Sequence, residues 1–477
     1  MSSAASEQST GATSTTETAT PPSTSTNRRQ PFGQGFLDTI STGWAERPDT
    51  MPPARPQAPF AAARRDAVSA AFPGKRLVIP AGELKQRSND TDYPFRAHSA
   101  FSHLTGWASD SEPGAVLVFE PRTAGGHEVT LYFRERADRT TSEFYSDASI
   151  GEFWIGPRPA LAGVAADLGV ATAQIDDFEA GDGDVVLDED DELTRFVSEL
   201  RLVKDAYEIG QMELAVQVTA SGFDDIVAHL PAIVEHPRGE RIVEGVFHQR
   251  ARSDGNAVGY DTIAASGPHA CYLHWTRNDG AVVPGDLILI DAGVEVDSLY
   301  TADITRTLPV SGRFTEVQRK VYETVREAAD AAFAAAKPGV KFRSVHEAAM
   351  QVIAARVAEW GLLPVSAKEA LDADSGGHHR RYMVHGTSHH LGIDVHDCAQ
   401  ARRDMYYDGL LEPGMVFTIE PGLYFQIDDL TVPEEYRGIG VRIEDDILMT
   451  ADGPVNLSAA IPRTADEVEA WIAGGAR

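Results

Sequence analysis

The chain has 477 residues, of which 42% are hydrophobic, and 72 acidic residues against 42 lysines and arginines give it a formal net charge of -30. A chain of this length exceeds what a single hydrophobic core organises, so we expect two folded domains and a tail. The negative charge repels phosphate backbones and anionic membrane surfaces, so nucleic acid and membranes are excluded as expected partners, although such a charge is also typical of a surface that only confers solubility.

The cysteine content and the N-terminus bear on the compartment. Cys271 and Cys398 are the only cysteines, and without CxxC spacing they indicate neither a disulfide framework nor a thiolate zinc site. No apolar run approaches the roughly 20 residues that cross a bilayer, and the N-terminus lacks the basic start and apolar core of a secretory signal. These features predict a cytoplasmic protein.

The first 57 residues differ in composition from the rest of the chain. Residues 1–57 are rich in Ser, Thr, Ala and Pro and contain too few apolar residues to fold alone, which predicts a disordered tail. The pattern FAAARRDAVSAAF then predicts a helix, and the β-rich runs GAVLVFEP and HEVTLYFRE lie between glycine and proline breaks. We therefore predict a small mixed α/β domain over residues 58–198.

The second predicted domain covers residues 199–477. Helical patterns such as FTEVQRKVYETVREAADAAFAAAK alternate there with clear strand signals. The fold class that this pattern predicts is α+β.

Two segments of the second domain share one pattern. PGDLILIDAG (284–293) and PGMVFTIEPG (413–422) each begin with Pro-Gly, continue with an apolar strand-like run, and end in an acid followed two positions later by Gly. The repeat predicts two related half-domains that face each other, with Asp291 and Glu420 in comparable places. The alternative is a chance similarity between two buried strands.

Four acids stand in or beside such apolar runs. They are Asp291 in LILIDAG, Asp303 in SLYTADITRT, Glu420 in VFTIEPG and Glu444 in GIGVRIEDDI. A buried carboxylate needs a cation, a set of hydrogen bonds or a metal. Arg306 and Arg442 are local partners for one or two of them, but the acids outnumber the nearby cations. Two divalent metal ions would resolve this surplus, and paired ions can also activate a water.

A histidine-rich loop is the candidate source of a nitrogen ligand. The segment HGTSHHLGIDVHD contains His385, His389, His390 and His396. A lone histidine is usually structural, but this density between glycines is typical of an active-site loop. The spacing is not HExxH, and oxygen-rich coordination with one imidazole favours Mn(II), with Co(II), Fe(II) or Zn(II) as alternatives. His274, in the segment upstream of the first ligand strand, is a further candidate for a role that faces the substrate.

Five ordered motifs resemble one family, aminopeptidase P, the Xaa-Pro aminopeptidases of the pita-bread metallopeptidases. They are YDTIAASG with LHWTRND, LILIDAG with ADITRTLPVSGRFT, HGTSHHLGIDVHD, LEPGMVFTIEPGLYF and YRGIGVRIEDDILMT, and the similarity covers roughly residues 60–465. The resemblance implies a C-terminal pita-bread (creatinase/aminopeptidase) domain preceded by a smaller mixed α/β domain.

The same resemblance implies roles for individual residues. The metal ligands would be Asp291, Asp303, His389, Glu420 and Glu444, with Asp303 and Glu444 bridging both ions. It thus selects His389 over His390. His274, His385 and His396 would line the substrate site, orient the scissile carbonyl and assist proton transfer, while Arg442 and Tyr424 would contact ligands or substrate.

The N-terminal domain also resembles aminopeptidase P more than the related Xaa-Pro dipeptidases, in the segment NDTDYPFRAHSAFSHLTGW. The family places active-site contacts at the positions of Asp90 and Trp154, and the tryptophan reaches a neighbouring subunit of a homodimer or homotetramer. The alternative for Trp154 is ordinary core or interface packing.

Two features depart from the family pattern. Asp291 and Asp303 are separated by twelve positions, one more than the family spacing, which predicts a longer turn with a bulge near Asp297. His390 stands where bacterial relatives often have an aromatic residue, which predicts an altered pocket wall.

We therefore expect a dinuclear-metal aminopeptidase that releases the N-terminal residue from peptides with proline in the second position. Two alternatives stay open at this stage. A prolidase-type Xaa-Pro dipeptidase would share the metal site and differ in the substrate length that it accepts, and a non-catalytic binding protein on the same fold would normally have lost ligands.

Overall fold

The computed structural model describes residues 32–47, 51–89 and 91–475. Most of the predicted tail and Asp90, a predicted active-site contact, lie outside the described residues. The chain forms two compact units, which are described separately. Among described residues, the smaller unit comprises 32–47, 85–93 without 90, and 136–158, and the larger unit contains the remainder.

The elements of the N-terminal part are short. Its helices are α1 (Gln34–Ile40), α2 (Ala58–Ala71), α3 (Ser99–Thr105), α4 (Glu143–Ser146), α5 (Glu152–Ile155), α6 (Leu161–Leu168) and α7 (Asp191–Leu200). Its strands are β1 (Leu77–Pro80), β2 (Gln86–Ser88), β3 (Thr91–Asp92), β4 (Val116–Pro121), β5 (His127–Phe133), β6 (Ala171–Gln174) and β7 (Val185–Val186).

The smaller unit corrects the predicted tail at residues 34–40, which form α1. Phe32, Leu37 and Ile40 pack against Phe144 and Tyr145, so this stretch buries apolar surface after all. Composition averaged over 57 residues hides a short apolar segment. The predicted domain limits at 57 and 198 remain predictions.

The N-terminal part of the larger unit is built on one mixed sheet with strand order β6-β5-β4-β1-β7. β1 pairs antiparallel with β4 and parallel with β7, and β5 pairs antiparallel with β4 and parallel with β6. Large buried side chains, among them Phe101, Trp107, Phe119 and Phe133, fill the space between this sheet and its helices. The predicted mixed α/β domain is confirmed.

The C-terminal part of the larger unit contains longer helices and several small antiparallel sheets. Its helices are α8 (Ala206–Glu235), α9 (Gly239–Asp254), α10 (Glu316–Ala335), α11 (Arg343–Glu359), α12 (Ala367–Ala370) and α13 (Ala465–Gly474). Its strands are β8 (Ala257–Val258), β9 (Ile263–Ser266), β10 (Leu287–Ala292), β11 (Val294–Glu295), β12 (Ile304–Pro309), β13 (Val416–Ile419), β14 (Gly422–Tyr424), β15 (Gly440–Arg442), β16 (Asp445–Thr450) and β17 (Gly453–Asn456).

Two strand pairs form the frame of the C-terminal part. β10 lies between β12 and β9, and β13 pairs with β16, all antiparallel. β9, β10, β12 and β13 are buried along their whole length, and β16 is buried except at Leu448 and Thr450. The two longest helices start at defined points because capping boxes, Asp205 with Glu208 and Thr315 with Gln318, satisfy their first backbone N–H groups. This arrangement confirms the α+β class.

Side chains from the N-terminal part of the larger unit hold a loop of the C-terminal part. Arg96 donates to the carbonyl of Ile393 at 2.8 Å and to the Glu295 carboxylate at 2.6 Å. The Ser99 hydroxyl donates to Asp394 at 2.5 Å. These bonds fix the segment that leads to His396. Among the described residues, none of the helices combines the length and apolar content that crossing a membrane requires.

Candidate metal centre

The first two predicted ligands lie side by side because of strand register. Asp291 is the fifth residue of β10 and pairs with Thr305 of β12. Asp303 lies two positions before Thr305 and therefore faces the same side of the ladder. The Tyr260 hydroxyl oxygen lies 2.7 Å from Asp291 Oδ1 and 2.5 Å from Asp303 Oδ1, so its single proton can be donated to either carboxylate.

The other three predicted ligands come from the second strand pair. Glu420 follows β13 directly, and Glu444 lies between β15 and β16. His389 lies in a loop that runs beside β13, since Thr418 N donates to the His389 carbonyl at 2.9 Å. All five side chains line one open cavity of about 520 Å³.

His389 is the nitrogen donor at the centre of this group. Its Nε2 atom lies 3.3 Å from Asp303 Oδ2, 3.6 Å from Glu420 Oε1 and 4.0 Å from Glu444 Oε1. One donor atom each from Asp303, His389 and Glu444 falls within 4.8 Å of the others. The spacing is short enough for shared coordination of an ion.

Burial and mutual repulsion perturb these carboxyl groups. Burial raises the pKa of Glu420 to about 8, with further raising by Asp303 and Asp291 against lowering by His389 and Arg442. Burial, followed by the charges of Asp303 and Glu420, raises the pKa of Glu444 well above its usual value. Burial opposes the charge on His389, but Asp303 and Glu420 raise its pKa to about 9.

The donor set fits two divalent ions. The four proposed ligand carboxylates line the cavity together with Asp261, and among the described residues Arg442 is the one arginine that lines it with them. Arg306, the other cation that the sequence suggested as a partner, is turned instead to Asp445 at 2.7 Å and to the Glu444 carbonyl. Cations among the acids would relieve the repulsion that raises their pKa values, and oxygen donors with one imidazole suit hard or borderline ions.

Two further side chains, Arg442 and Thr305, contact the ligands directly. Arg442 Nη2 donates to Asp291 Oδ2 at 2.5 Å, and its Nη1 donates to the Tyr424 hydroxyl at 3.1 Å. The Thr305 hydroxyl donates to Glu444 Oε2 at 2.7 Å. Sequence reasoning named Arg442 and Tyr424 but missed Thr305 and Tyr260, although Tyr260 begins the YDTIAASG motif.

The three histidines that were predicted to face the substrate line the same cavity. His274 and His396 are exposed at its wall, and His385 is partly buried. His385 Nε2 lies 2.8 Å from the Tyr424 hydroxyl, and the His396 ring stacks on His389 with centroids 4.0 Å apart. The structure thus brings these groups to the ligand cluster.

His390 does not line this cavity, so the predicted change to the pocket wall is wrong. Its ring is fully buried and packs between Phe342, at 4.6 Å, and Tyr406, at 4.7 Å between centroids. Adjacent residues of an extended segment point in opposite directions, which turns His390 into the core where His389 faces the cavity.

The segment between Asp291 and Asp303 contains a tight turn. Val296 N bonds to the Tyr300 carbonyl at 3.0 Å, which leaves a three-residue turn, 297–299. Leu299 has φ 70°, the left-handed conformation in which such turns carry their bulge. The ladder on the ligand side of the turn keeps its register, with Ala292 opposite Ile304.

Trp154 belongs to the smaller unit. It lies in α5, half exposed, and its Nε1 donates to the Tyr145 carbonyl at 2.8 Å. Phe153 and Ile155 beside it are also exposed.

Comparisons with known proteins agree on one family. Residues 210–451 match the model of metallopeptidase family M24, and residues 61–186 match the model of the aminopeptidase P N-terminal domain. The chain is 50% identical over 462 residues to Xaa-Pro aminopeptidase 1 of Streptomyces coelicolor, covering 92% of each chain. It is 33% identical to the Xaa-Pro aminopeptidase of Escherichia coli, over 87% of this chain and 97% of that one.

A solved structure has a similar fold. The aminopeptidase PepP of Pseudomonas aeruginosa superposes with a TM-score of 0.75 at 32% identity, over 88% of this chain and 99% of that one.

Proposed function

Because the chain belongs to the aminopeptidase P family of M24 metallopeptidases, we propose that the five-residue cluster binds two divalent metal ions and serves proline-specific peptide hydrolysis. The chain is a metallo-aminopeptidase that releases the N-terminal residue from peptides with proline in the second position. One observation supports the proposal most strongly. The four carboxylates and the imidazole of the predicted ligand set all line one cavity, in a chain that has these relatives.

The residues that would hold the ions are Asp291, Asp303, His389, Glu420 and Glu444. Divalent ions in such a pair supply an activated water and stabilise developing negative charge. The protein keeps the ligands fixed: Tyr260 holds Asp291 and Asp303 at one separation, and Thr305 holds Glu444. These bonds support ligand geometry that persists before substrate arrives.

The histidines would act on the peptide itself. We assign His274, His385 and His396 to orienting the scissile carbonyl and assisting proton transfer. The Tyr424 hydroxyl bridges His385 and Arg442, at 2.8 and 3.1 Å, which supports a fixed ring orientation for His385. Burial lowers the pKa of His385 to about 3 and the pKa of His396 to about 4, so near neutral pH both rings are uncharged, and each has one nitrogen that donates and one that accepts a hydrogen bond.

Selection for proline would combine shape with the absence of a donor. A proline nitrogen in a peptide bond carries no N–H, and its ring fixes the backbone angle. Ile263, Leu273 and Val395 give the cavity an apolar wall that could hold the ring. A site without an acceptor for a backbone N–H discriminates against other residues at this position.

We propose Mn²⁺ as the native metal, a homodimer or homotetramer as the assembly, and the cytoplasm as the compartment. The oxygen-rich ligand set supports manganese. The exposed apolar triplet Phe153, Trp154 and Ile155 supports a subunit contact, and the free, buried Cys271 and Cys398 are consistent with a reducing compartment.

Steady-state cleavage of an Xaa-Pro-Xaa tripeptide and an Xaa-Pro dipeptide, each with Mn²⁺ and after chelation, tests the function. We expect metal-dependent cleavage of the tripeptide. Cleavage of the dipeptide alone would establish a prolidase-type enzyme instead. Purified protein that neither binds metal nor cleaves either peptide would establish a binding protein.

A further inference from the structure

A buried carboxylate with four hydrogen-bond donors lies behind the segment that carries His274. Glu240, on α9, is fully buried. Its Oε1 accepts from Ser266 N and from His269 Nδ1, both at 2.8 Å. Its Oε2 accepts from Trp275 Nε1 at 2.9 Å and from Gly280 N at 2.7 Å. Four donors on two oxygens leave this side chain a single orientation.

These donors come from the start, the middle and the end of one segment, residues 266–280. At its end, Gly280 allows a close approach, since a Cβ there would lie 2.8 Å from Glu240 Oε2. Next to it, the buried Asn278 adopts φ 45°, accepts from Ala264 N at 3.0 Å and donates to the Thr262 carbonyl at 2.8 Å. The segment is therefore fixed to β9, the strand beside the Asp291 strand.

The middle of the segment is held at the residue next to His274. The Trp275 ring, fixed at its Nε1 by Glu240, stacks on His269 with centroids 3.9 Å apart. His274 and its neighbours Leu273 and Thr276 line the substrate cavity, whereas Trp275 points to Glu240. His274 is exposed and lies outside any helix or strand. The Glu240 carboxylate therefore fixes the backbone at the residue next to it, Trp275.

We propose that Glu240 is a positioning residue for His274, acting through Trp275, His269 and the backbone of residues 266 and 280. It touches neither the metal ligands nor the cavity, and it rests on the role proposed above for His274 at the substrate. A lost anchor would let His274 move, and misplacement of a catalytic group by about 1 Å costs on the order of 100-fold in rate.

The substitution Glu240→Gln isolates this effect. The side chain keeps its shape, but its amide nitrogen is a donor and faces two N–H groups that it cannot satisfy. We expect kcat to fall about 10- to 100-fold with a smaller change in KM, while the metal content stays at two ions per chain. Trp275→Phe, which removes the indole N–H and keeps a smaller aromatic ring beside His269, should give a smaller loss of the same kind.

A double-mutant cycle with His274→Ala separates positioning from a general loss of structure. If Glu240 acts through His274, Glu240→Gln lowers kcat little further once His274 is alanine. A full additional loss in that background would overturn the positioning proposal and leave the role of His274 intact. If His274→Ala alone leaves turnover unchanged, the role proposed for His274 fails, and the positioning proposal fails with it.

Glu244→Gln, on the same helix and partly exposed, is the matched control. It should leave kcat, KM and metal content unchanged. If Glu240→Gln does not fold, Trp275→Phe takes its place in the cycle, and additivity with His274→Ala would again overturn the proposal.

Discussion

The two strand pairs of the catalytic domain repeat one design. Each begins with a Pro-Gly turn, closed by Asp286 N to the Val283 carbonyl and by Met415 N to the Glu412 carbonyl, both at 3.1 Å. Gly285 and Gly414 have φ 101° and 96°. Each turn leads into a buried strand that brings an acid, Asp291 or Glu420, to the cavity.

The halves differ in how that acid is neutralised. Asp291 has an arginine at 2.5 Å, supplied by Arg442 from the other half. Among the described residues, the ion pairs of Glu420 are with His385 at 3.5 Å and His389 at 3.6 Å. Burial then raises the pKa of Glu420 to about 8. Asp291 therefore has an arginine counterion that the other half supplies, whereas Glu420 depends on added cations.

Removing the metals should have the largest effect, because ligands from both halves would then face each other without cations. We expect exhaustive chelation to lower kcat/KM by at least about 1000-fold, since paired ions contribute several kcal/mol of transition-state stabilisation. The thermal midpoint should also fall, because bound ions stabilise only the folded state. Mn²⁺ added back should restore both. Activity and thermal midpoint that are indifferent to chelation would contradict the whole account of the centre.

The next largest effect should come from replacing Asp291 and Glu420, the acids at equivalent positions in the two halves, one at a time. Glu420→Ala and Asp291→Ala should each lower kcat/KM by at least about 1000-fold, with loss of bound metal by elemental analysis. In the metal-free protein the two variants should differ in stability. Asp291→Ala leaves the buried Arg442 without its ion pair, which costs about 3–5 kcal/mol. Glu420→Ala breaks no arginine pair and should cost less. Equal metal-free thermal midpoints would remove the difference between the halves. Near-normal turnover of Glu420→Ala would show that the ligand assignment is wrong.

Arg442→Lys tests the counterion itself. The guanidinium contacts Asp291, Thr305 and Tyr424 through three nitrogens, which a single ammonium group cannot do. We expect kcat/KM to fall about 10- to 100-fold, with weaker Mn²⁺ binding by calorimetry. Arg319→Lys, whose ion pairs are at the surface, is the control and should change neither. Unchanged metal affinity in Arg442→Lys would show that Asp291 does not need its arginine.

The sequence was enough to predict the repeat, because strand-like runs that end in acids are local patterns. It was also enough to place both strands in the core. The choice of His389 over His390 needed the family resemblance, since spacing alone does not tell which neighbour faces the cavity. Tyr260 and Glu240 could not be found locally, because their roles depend on contacts 31 and 40 residues further along the chain. The helix at residues 34–40 was missed because its apolar partners, Phe144 and Tyr145, lie in a distant segment.

The smallest effect should come from substitutions in the two Pro-Gly turns. They should lower the stability of the two halves to different extents and leave catalysis unchanged. Gly285 has open space where a Cβ would stand, so Gly285→Ala carries only the strain of positive φ, about 1–2 kcal/mol. At Gly414 a Cβ would meet Val203 Cγ1 at 2.9 Å and the Lys204 carbonyl at 3.0 Å. Gly414→Ala should therefore cost about 1–3 kcal/mol more, because a backbone contact must also move.

Thermal midpoints of the metal-loaded variants measure this difference, with kcat/KM as the internal control. We expect Gly285→Ala to keep its activity and lose the least stability. The Lys204 amide also donates to the Gly414 carbonyl at 2.9 Å, which ties the second turn to the segment that enters α8. Equal decreases in thermal midpoint for the two variants would mean that the backbone at Lys204 moves without cost and that the two turns are equivalent. A larger loss at Gly414 would mean that the second half is braced by the rest of the chain, although its acid is the one left without an arginine.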